Sequence, residues 1–163
     1  MRIGFVLLFA VAASGQTQID RGKALFMDAQ NGCATCHALK GEGTAVGPDL
    51  KGIAVLQPAG IAMAIRSTVT QYVQMAKLKS GESFPTMPPS GSDPKVKLYD
   101  LSKMPPELHE VDKADVGPLT PNNSWKHPPA TRNYTPAQMA DIIAYVKYAA
   151  TNSRKAVDPA DVQ

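Results

Sequence analysis

The chain holds only two cysteines, and they stand three positions apart with a histidine beside the second: Cys33-Ala34-Thr35-Cys36-His37. Two thiols at this spacing on one helical turn can reach the two vinyl groups of a haem and form thioethers. The adjacent imidazole then falls under the iron as an axial ligand. Other uses of C-x-x-C fit less well. A structural zinc site needs more thiols than this chain has. A thioredoxin-type dithiol belongs in a βαβ context, which the surrounding residues do not show. The pentapeptide therefore reads as the attachment site of one haem c, bound through Cys33 and Cys36 and ligated by His37.

Several elements must position that motif. Ile19 to Ala29 is predicted as a helix, with Asp20 as N-cap and with Gly22 and Phe26 on one face. Asn31-Gly32 supplies turn chemistry just before Cys33. Gln57 to Thr68 is predicted as a second helix with Pro58 in its first turn, and Ile61, Ala64, Ile65 and Thr68 share one face. Met63 and Met75 read as surface or core filling. The closing helix is predicted over Thr135 to Ala150. Thr135 caps it, Pro136 takes the first helical position, and Gln138 completes a capping box. Met139, Ile142, Ile143 and Val146 form its buried stripe. Ten of the 14 prolines lie between Phe84 and Pro129, so the middle of the chain should be loops and short strands. Val96 to Leu101 alternates apolar and polar, Leu108 to Lys113 suits a second short strand, and Ser80 to Ser83 reads as a turn.

Asp20-Arg21-Gly22-Lys23-Ala24-Leu25-Phe26, the haem motif, Gly41-Glu42-Gly43 and Gly47-Pro48-Asp49-Leu50-Lys51-Gly52 together resemble the class I cytochromes c. Thr-Pro-Ala-Gln-x-x-Asp-Ile-Ile-Ala-Tyr-Val, residues 135–146, resembles their closing helix. The resemblance implies a mainly α fold of three to four helices around one haem. It implies that the carbonyl of Pro48 orients His37, that Leu50 touches the haem, and that Tyr145 packs across the first helix at Gly22 and Phe26. Residues 69–116 are similar to a small antiparallel β insertion carried by some bacterial members. Residues 16–163 then form one domain, with 151–163 as a frayed polar tail.

The same family places its sixth iron ligand, normally Met, in a loop just ahead of the closing helix. Met87-Pro88 and Met104-Pro105 are conspicuous, but they precede Tyr145 by 58 and 41 residues. The residue at the expected place is His127, 18 ahead of Tyr145, in Trp125-Lys126-His127-Pro128-Pro129. The prolines stiffen that loop. His127 is the first choice as distal ligand, Met104 and Met87 are the alternatives, and an open or water-bound position ranks third. Trp125 is placed against the haem. His109, in an acidic strand-like stretch, reads as exposed.

Residues 1–15, with Arg2 followed by an apolar run and Ala13-Ser14-Gly15, read as a secretory signal peptide. The run is too short to span a bilayer, so membrane contact is expected only if the segment stays uncleaved. A periplasmic or otherwise exported location fits, because c-type haem is attached outside the cytoplasm. Removing residues 1–15 lowers the formal charge from +3 to +2, and two haem propionates bring it near zero. That balance excludes a nucleic-acid-binding protein. The resemblance implies an exported electron carrier that works with redox partner proteins. Rapid binding of CO or cyanide would point instead to a haem enzyme or sensor with an open distal site. Stable co-purification would mark a subunit of a dehydrogenase or oxidase.

Overall fold

A computed structural model describes residues 16–67, 72–89 and 93–163. The segment read as a signal peptide, residues 1–15, lies outside them, as do Thr68 of the second predicted helix and residues 69–71.

Helix α1, Gln18–Phe26, begins three residues earlier than Asp20 as N-cap would require. Thr17 is the cap. Its hydroxyl accepts from the Asp20 N–H, and the Asp20 carboxylate accepts from the Thr17 N–H, both at 3.2 Å. Asp20 is therefore the third residue of a capping box, where its charge also meets the positive helix end. The helix stops before Ala29 because the Asp28 carboxylate accepts from the backbone N–H of Gln30 and of Asn31, at 3.2 and 2.6 Å. That turn competes with helix continuation.

Helices α2, Pro58–Arg66, and α3, Pro136–Thr151, complete the helical layer. Thr135 and Gln138 form the second capping box. Met139, Ile142, Ile143 and Val146 of α3 are each at most 1% exposed. On one side of α3 Ile142 and Val146 join Phe26, Cys33, Ala34, Leu39 and Ala54. On the other side Met139 and Ile143 join Ile61 and Ala62 of α2. Arg21 holds the α1–α3 crossing with a bidentate pair to Asp141, at 2.8 and 2.9 Å.

The fold is not clearly mainly α, as the resemblance had implied. The described residues are 36% helical and 20% strand, with three helices and several small sheets among them. Strands β1, Ala38–Leu39, and β2, Glu42–Gly43, form a short hairpin directly after the haem motif. Between α2 and α3 run β3 (Gln74–Lys77), β4 (Ser83–Thr86), β5 (Lys95–Asp100), β6 (Glu107–Asp112) and β7 (Thr120–Pro121). They build a three-stranded sheet in the order β4-β3-β7 and a β5-β6 pair, all antiparallel. Ala76, Leu78, Phe84, Val96 and Leu98 form the shared core of these strands. The prolines of this region deny a helix its hydrogen bonds, and the alternation along β5 buries Val96 and Leu98 while Lys95 and Lys97 stay out. The strand-forming stretch also runs past residue 116, since β7 pairs back onto β3.

Two further expectations change. Residues 151–163 are not a frayed tail. Val157 and Val162 are 5% and 1% exposed and pack against α2 and α3. The Gln18 side-chain amide donates to the Val157 carbonyl and accepts from its N–H, at 2.9 and 3.0 Å. His109 is half-buried rather than exposed. Its ring stacks on Phe84 with centroids 4.6 Å apart.

Candidate functional site

The haem motif sits on a single 3-10 turn, Cys33–Thr35, tightened by Cys36 N–H and His37 N–H donating to the Cys33 carbonyl at 3.1 and 2.8 Å. The chain then reverses at Lys40-Gly41, both at positive φ, as a two-residue hairpin turn requires. The returning strand lies along the motif. Thr44 N–H donates to Ala34, and Val46 and Gly47 N–H both donate to Cys36, at 2.9, 3.1 and 2.7 Å. This wrap delivers Pro48 to the ring of His37. The Nδ1–H of His37 donates to the Pro48 carbonyl at 2.7 Å, which fixes the tautomer and leaves Nε2 as the donor atom for a metal.

His37 forms one wall of a cavity of about 360 Å³. Cys33, Cys36, Pro48, His127, Trp125, Met87 and Met104 also line the cavity. Leu50 is not among its lining residues and packs instead against the helical core. Met87 is half-buried against Val46, Val73 and Leu101, and Met104 is 37% exposed.

The ring of His127 faces that of His37, with centroids 6.0 Å apart and planes at 85°. Its Nδ1–H donates to the Ile65 carbonyl at the end of α2, at 3.3 Å. The Nδ1 atoms of both imidazoles are thus tied to backbone carbonyls, and the backbone of Ser67 also bonds the His127 ring. An imidazole nitrogen lies about 1.1 Å from its ring centroid and bonds first-row metals at about 2.0 Å, so two imidazoles trans across one ion have centroids about 6 Å apart. Burial lowers the pKa of both rings. For His37 the Pro48 carbonyl offsets part of this, and for His127 the neighbouring His37 adds to it. Both rings are therefore biased to the neutral form a metal needs. Burial also pushes the Cys33 thiol up to about 11 and raises Cys36.

Two imidazoles alone do not complete the coordination shell of an ion. Among the described residues no group of three or more His, Cys, Asp or Glu comes together to hold a bare metal. A planar ring that brings its own four equatorial donors, and two vinyl groups for Cys33 and Cys36, fits what the side chains leave unfilled. A protein-family model described as cytochrome c matches residues 19–104, which is just over half of the chain. The chain belongs to the cytochrome c family. The match takes in α1, the haem motif, Pro48 and both candidate methionines, and it ends before His127. A comparison with curated proteins found no match to this chain.

Membership in the cytochrome c family supports a haem-binding, electron-carrying role, with Cys33, Cys36 and His37 as the CxxCH residues. Among the described residues of this cytochrome no helix is long and apolar enough to cross a membrane. Two residues of the site escaped the sequence reading. Arg132 donates to the Asn31 side-chain carbonyl at 2.9 Å and also to its backbone carbonyl, so it fastens the segment after His127 to the turn just before the haem motif. No local pattern marks it. Asn122 organises the loop ahead of Trp125, and Asn122-Asn123-Ser124 is a readable turn signal.

Proposed function

We propose that this protein is an exported monohaem cytochrome c that passes single electrons between redox partner proteins, with His37 and His127 as its two axial ligands and a low potential. The observation that carries the reading is the opposition of the two imidazoles at 6.0 Å with both Nδ1 atoms already committed to backbone carbonyls. Bound haem supplies the one-electron ferric–ferrous couple. The chain supplies the thioether anchors at Cys33 and Cys36 and two ligands fixed by Pro48 and Ile65. Ligands held this firmly change little between oxidation states, which suits a carrier. Imidazole in place of a thioether stabilises ferric iron, so the potential should lie about 100 mV or more below that of a His/Met protein. The signal-like residues 1–15 support export.

A second reading, thioether ligation by Met104 or Met87 in a subunit of a larger oxidoreductase, draws support from the presence of both residues in the lining of the same cavity. One experiment separates the two. The oxidised holoprotein should lack the weak red absorption band that thioether ligation gives ferric haem. His127→Met should create that band and raise the midpoint potential. A thioether band in the unmodified protein, or an unchanged potential in His127→Met, would refute His127 ligation.

A further inference from the structure

His127 lies on a segment with no regular structure of its own, between β7 and the short 3-10 turn Pro128–Thr131. Something must hold that loop against the cavity. Asn122 is the first residue after β7, and its backbone N–H and both ends of its side-chain amide are engaged. Its backbone N–H donates to the Val73 carbonyl at 3.1 Å, one step beyond the Gln74–Pro121 pair. Its side-chain Nδ2 donates to the sulfur of Met75 on β3 at 3.0 Å. Its Oδ1 accepts three bonds from the loop: Ser124 N–H at 3.1 Å, Ser124 Oγ–H at 2.8 Å and Trp125 N–H at 3.1 Å. The amide thus has its nitrogen side on the sheet and its oxygen side on the loop, using both halves of its bonding capacity.

The turn closed by Asn122 aims Trp125. The indole N–H donates to the Leu101 carbonyl at 3.1 Å, and the ring packs with Val46, Val73 and Leu101. Leu101 N–H in turn donates to the Pro85 carbonyl at 2.8 Å, so the pin reaches β4. The Trp125 and His127 ring centroids are 6.4 Å apart. Two prolines follow His127 and restrict the backbone on its far side.

We propose that Asn122 is a positioning residue for the distal ligand: it pins the His127 loop to β3 and thereby sets how often His127 leaves the iron. This rests on the His127 reading above. An outside ligand can reach ferric iron only while His127 is away, so its binding rate samples the fraction of time the loop is open. The strands between α2 and α3 then have a function at the haem, as the frame to which the loop is fastened.

The test is stopped-flow binding of cyanide to the oxidised holoprotein, beside its absorption spectrum and urea midpoint. Asn122→Ala removes both the turn and the sulfur contact, and should raise the cyanide rate about tenfold or more. Asn122→Asp keeps an acceptor for Ser124 and Trp125 but loses the donor to Met75, and its rate should fall between those of the parent and Asn122→Ala. Trp125→Phe keeps an aromatic ring and removes the bond to Leu101; it should also accelerate binding, and it reads the pin even if Asn122→Ala accumulates without haem. Cyanide rates within twofold of the parent in every alanine and phenylalanine variant that loads haem, while His127→Ala opens the site to fast binding, would overturn the Asn122 proposal and leave His127 ligation standing. A His127→Ala protein that keeps a low-spin spectrum and slow cyanide binding would remove both. A lowered urea midpoint with an unchanged cyanide rate would show a merely structural role and also count against the proposal.

Discussion

Gly47 passes so close to His37 that a Cβ on it would lie 2.6 Å from Cε1 and 2.9 Å from Nδ1 of the imidazole. The glycine is there because the backbone must come within touching distance for the next carbonyl, that of Pro48, to accept from Nδ1 at 2.7 Å. Gly47→Ala must push the ring or the carbonyl aside. Overpacking of this kind costs about 1–3 kcal/mol. Loss of the Pro48 bond also makes His37 a weaker donor, so the midpoint potential should rise along with the loss of stability. Pro48→Ala is the control, because it keeps the carbonyl and changes only backbone freedom, worth about 0.4–1 kcal/mol. Redox titration and urea unfolding of the two holoproteins check this. A potential shifted equally by both substitutions would sink the argument.

A similar close approach joins the helices. A Cβ on Gly22 would lie 1.9 Å from the backbone oxygen of Asp141 and 2.9 Å from the Cβ of Tyr145. Neither atom is the end of a flexible side chain, so Gly22→Ala must separate α1 from α3. That also disturbs the Phe26–Tyr145 ring contact, at 5.2 Å between centroids, and the Arg21–Asp141 pair. The expected loss is about 3 kcal/mol or more, at the upper end for single substitutions. It should appear as a large fall in urea midpoint. Arg21→Gln should cost less, because the guanidinium is half exposed although the carboxylate is nearly buried. The reverse ranking would mean that the ion pair, not the close packing, holds the crossing.

What the sequence disclosed follows from the range of each interaction. The haem motif, the Thr135–Gln138 capping box and the stripe from Met139 to Val146 are written in neighbouring residues, and each is legible without knowing the fold. The glycine at 22 and the aromatics at 26 and 145 needed a family pattern to be paired, because they meet across 120 residues of chain. The strand content was underestimated for a related reason. β1, β2 and β7 are two residues long, too short for any alternation to register, and β7 is defined only by its pairing with β3. The last dozen residues looked polar, yet Val157 and Val162 are isolated apolar positions whose burial depends on α2 and α3. His127 is singled out in the sequence by its distance from the closing helix; the carbonyl of Ile65 that its ring meets lies 62 residues away and leaves no trace in the local pattern.

The docking of residues 157–162 has a measurable consequence. Val162 is 1% exposed between α2 and α3, and Arg66 donates to its carbonyl at 2.6 Å. Val162→Ala removes two buried carbons and leaves a small void, which should cost about 2 kcal/mol. Val162→Asp puts a carboxylate in the same apolar place and should cost more, about 3–5 kcal/mol. Urea unfolding of the holoprotein reads both. Unchanged midpoints would mean that this segment leaves the core in solution.

Tyr145 gives the protein a dependence on alkaline pH. Burial raises the pKa of its phenol, and the carboxylate of Glu42, whose Oε2 lies 3.5 Å from the hydroxyl, raises it further. The unfolded chain releases this proton near pH 10, while the folded chain holds it to higher pH. The neutral phenol therefore contributes stability that is fully present below about pH 10 and is lost as pH rises through the higher folded value. Tyr145→Phe keeps the ring against Phe26 and deletes the titrating group. At pH 7 it should lie within about 1 kcal/mol of the parent, since the bond to Glu42 is long. Above about pH 10 the parent should lose stability faster, so the difference moves in favour of Phe. Lysines titrate in the same range but are common to both proteins, so the difference between the two curves isolates Tyr145. Urea midpoints measured from pH 7 to about pH 11 decide it, and parallel curves would mean that the phenol ionises as freely in the folded protein as in the unfolded chain.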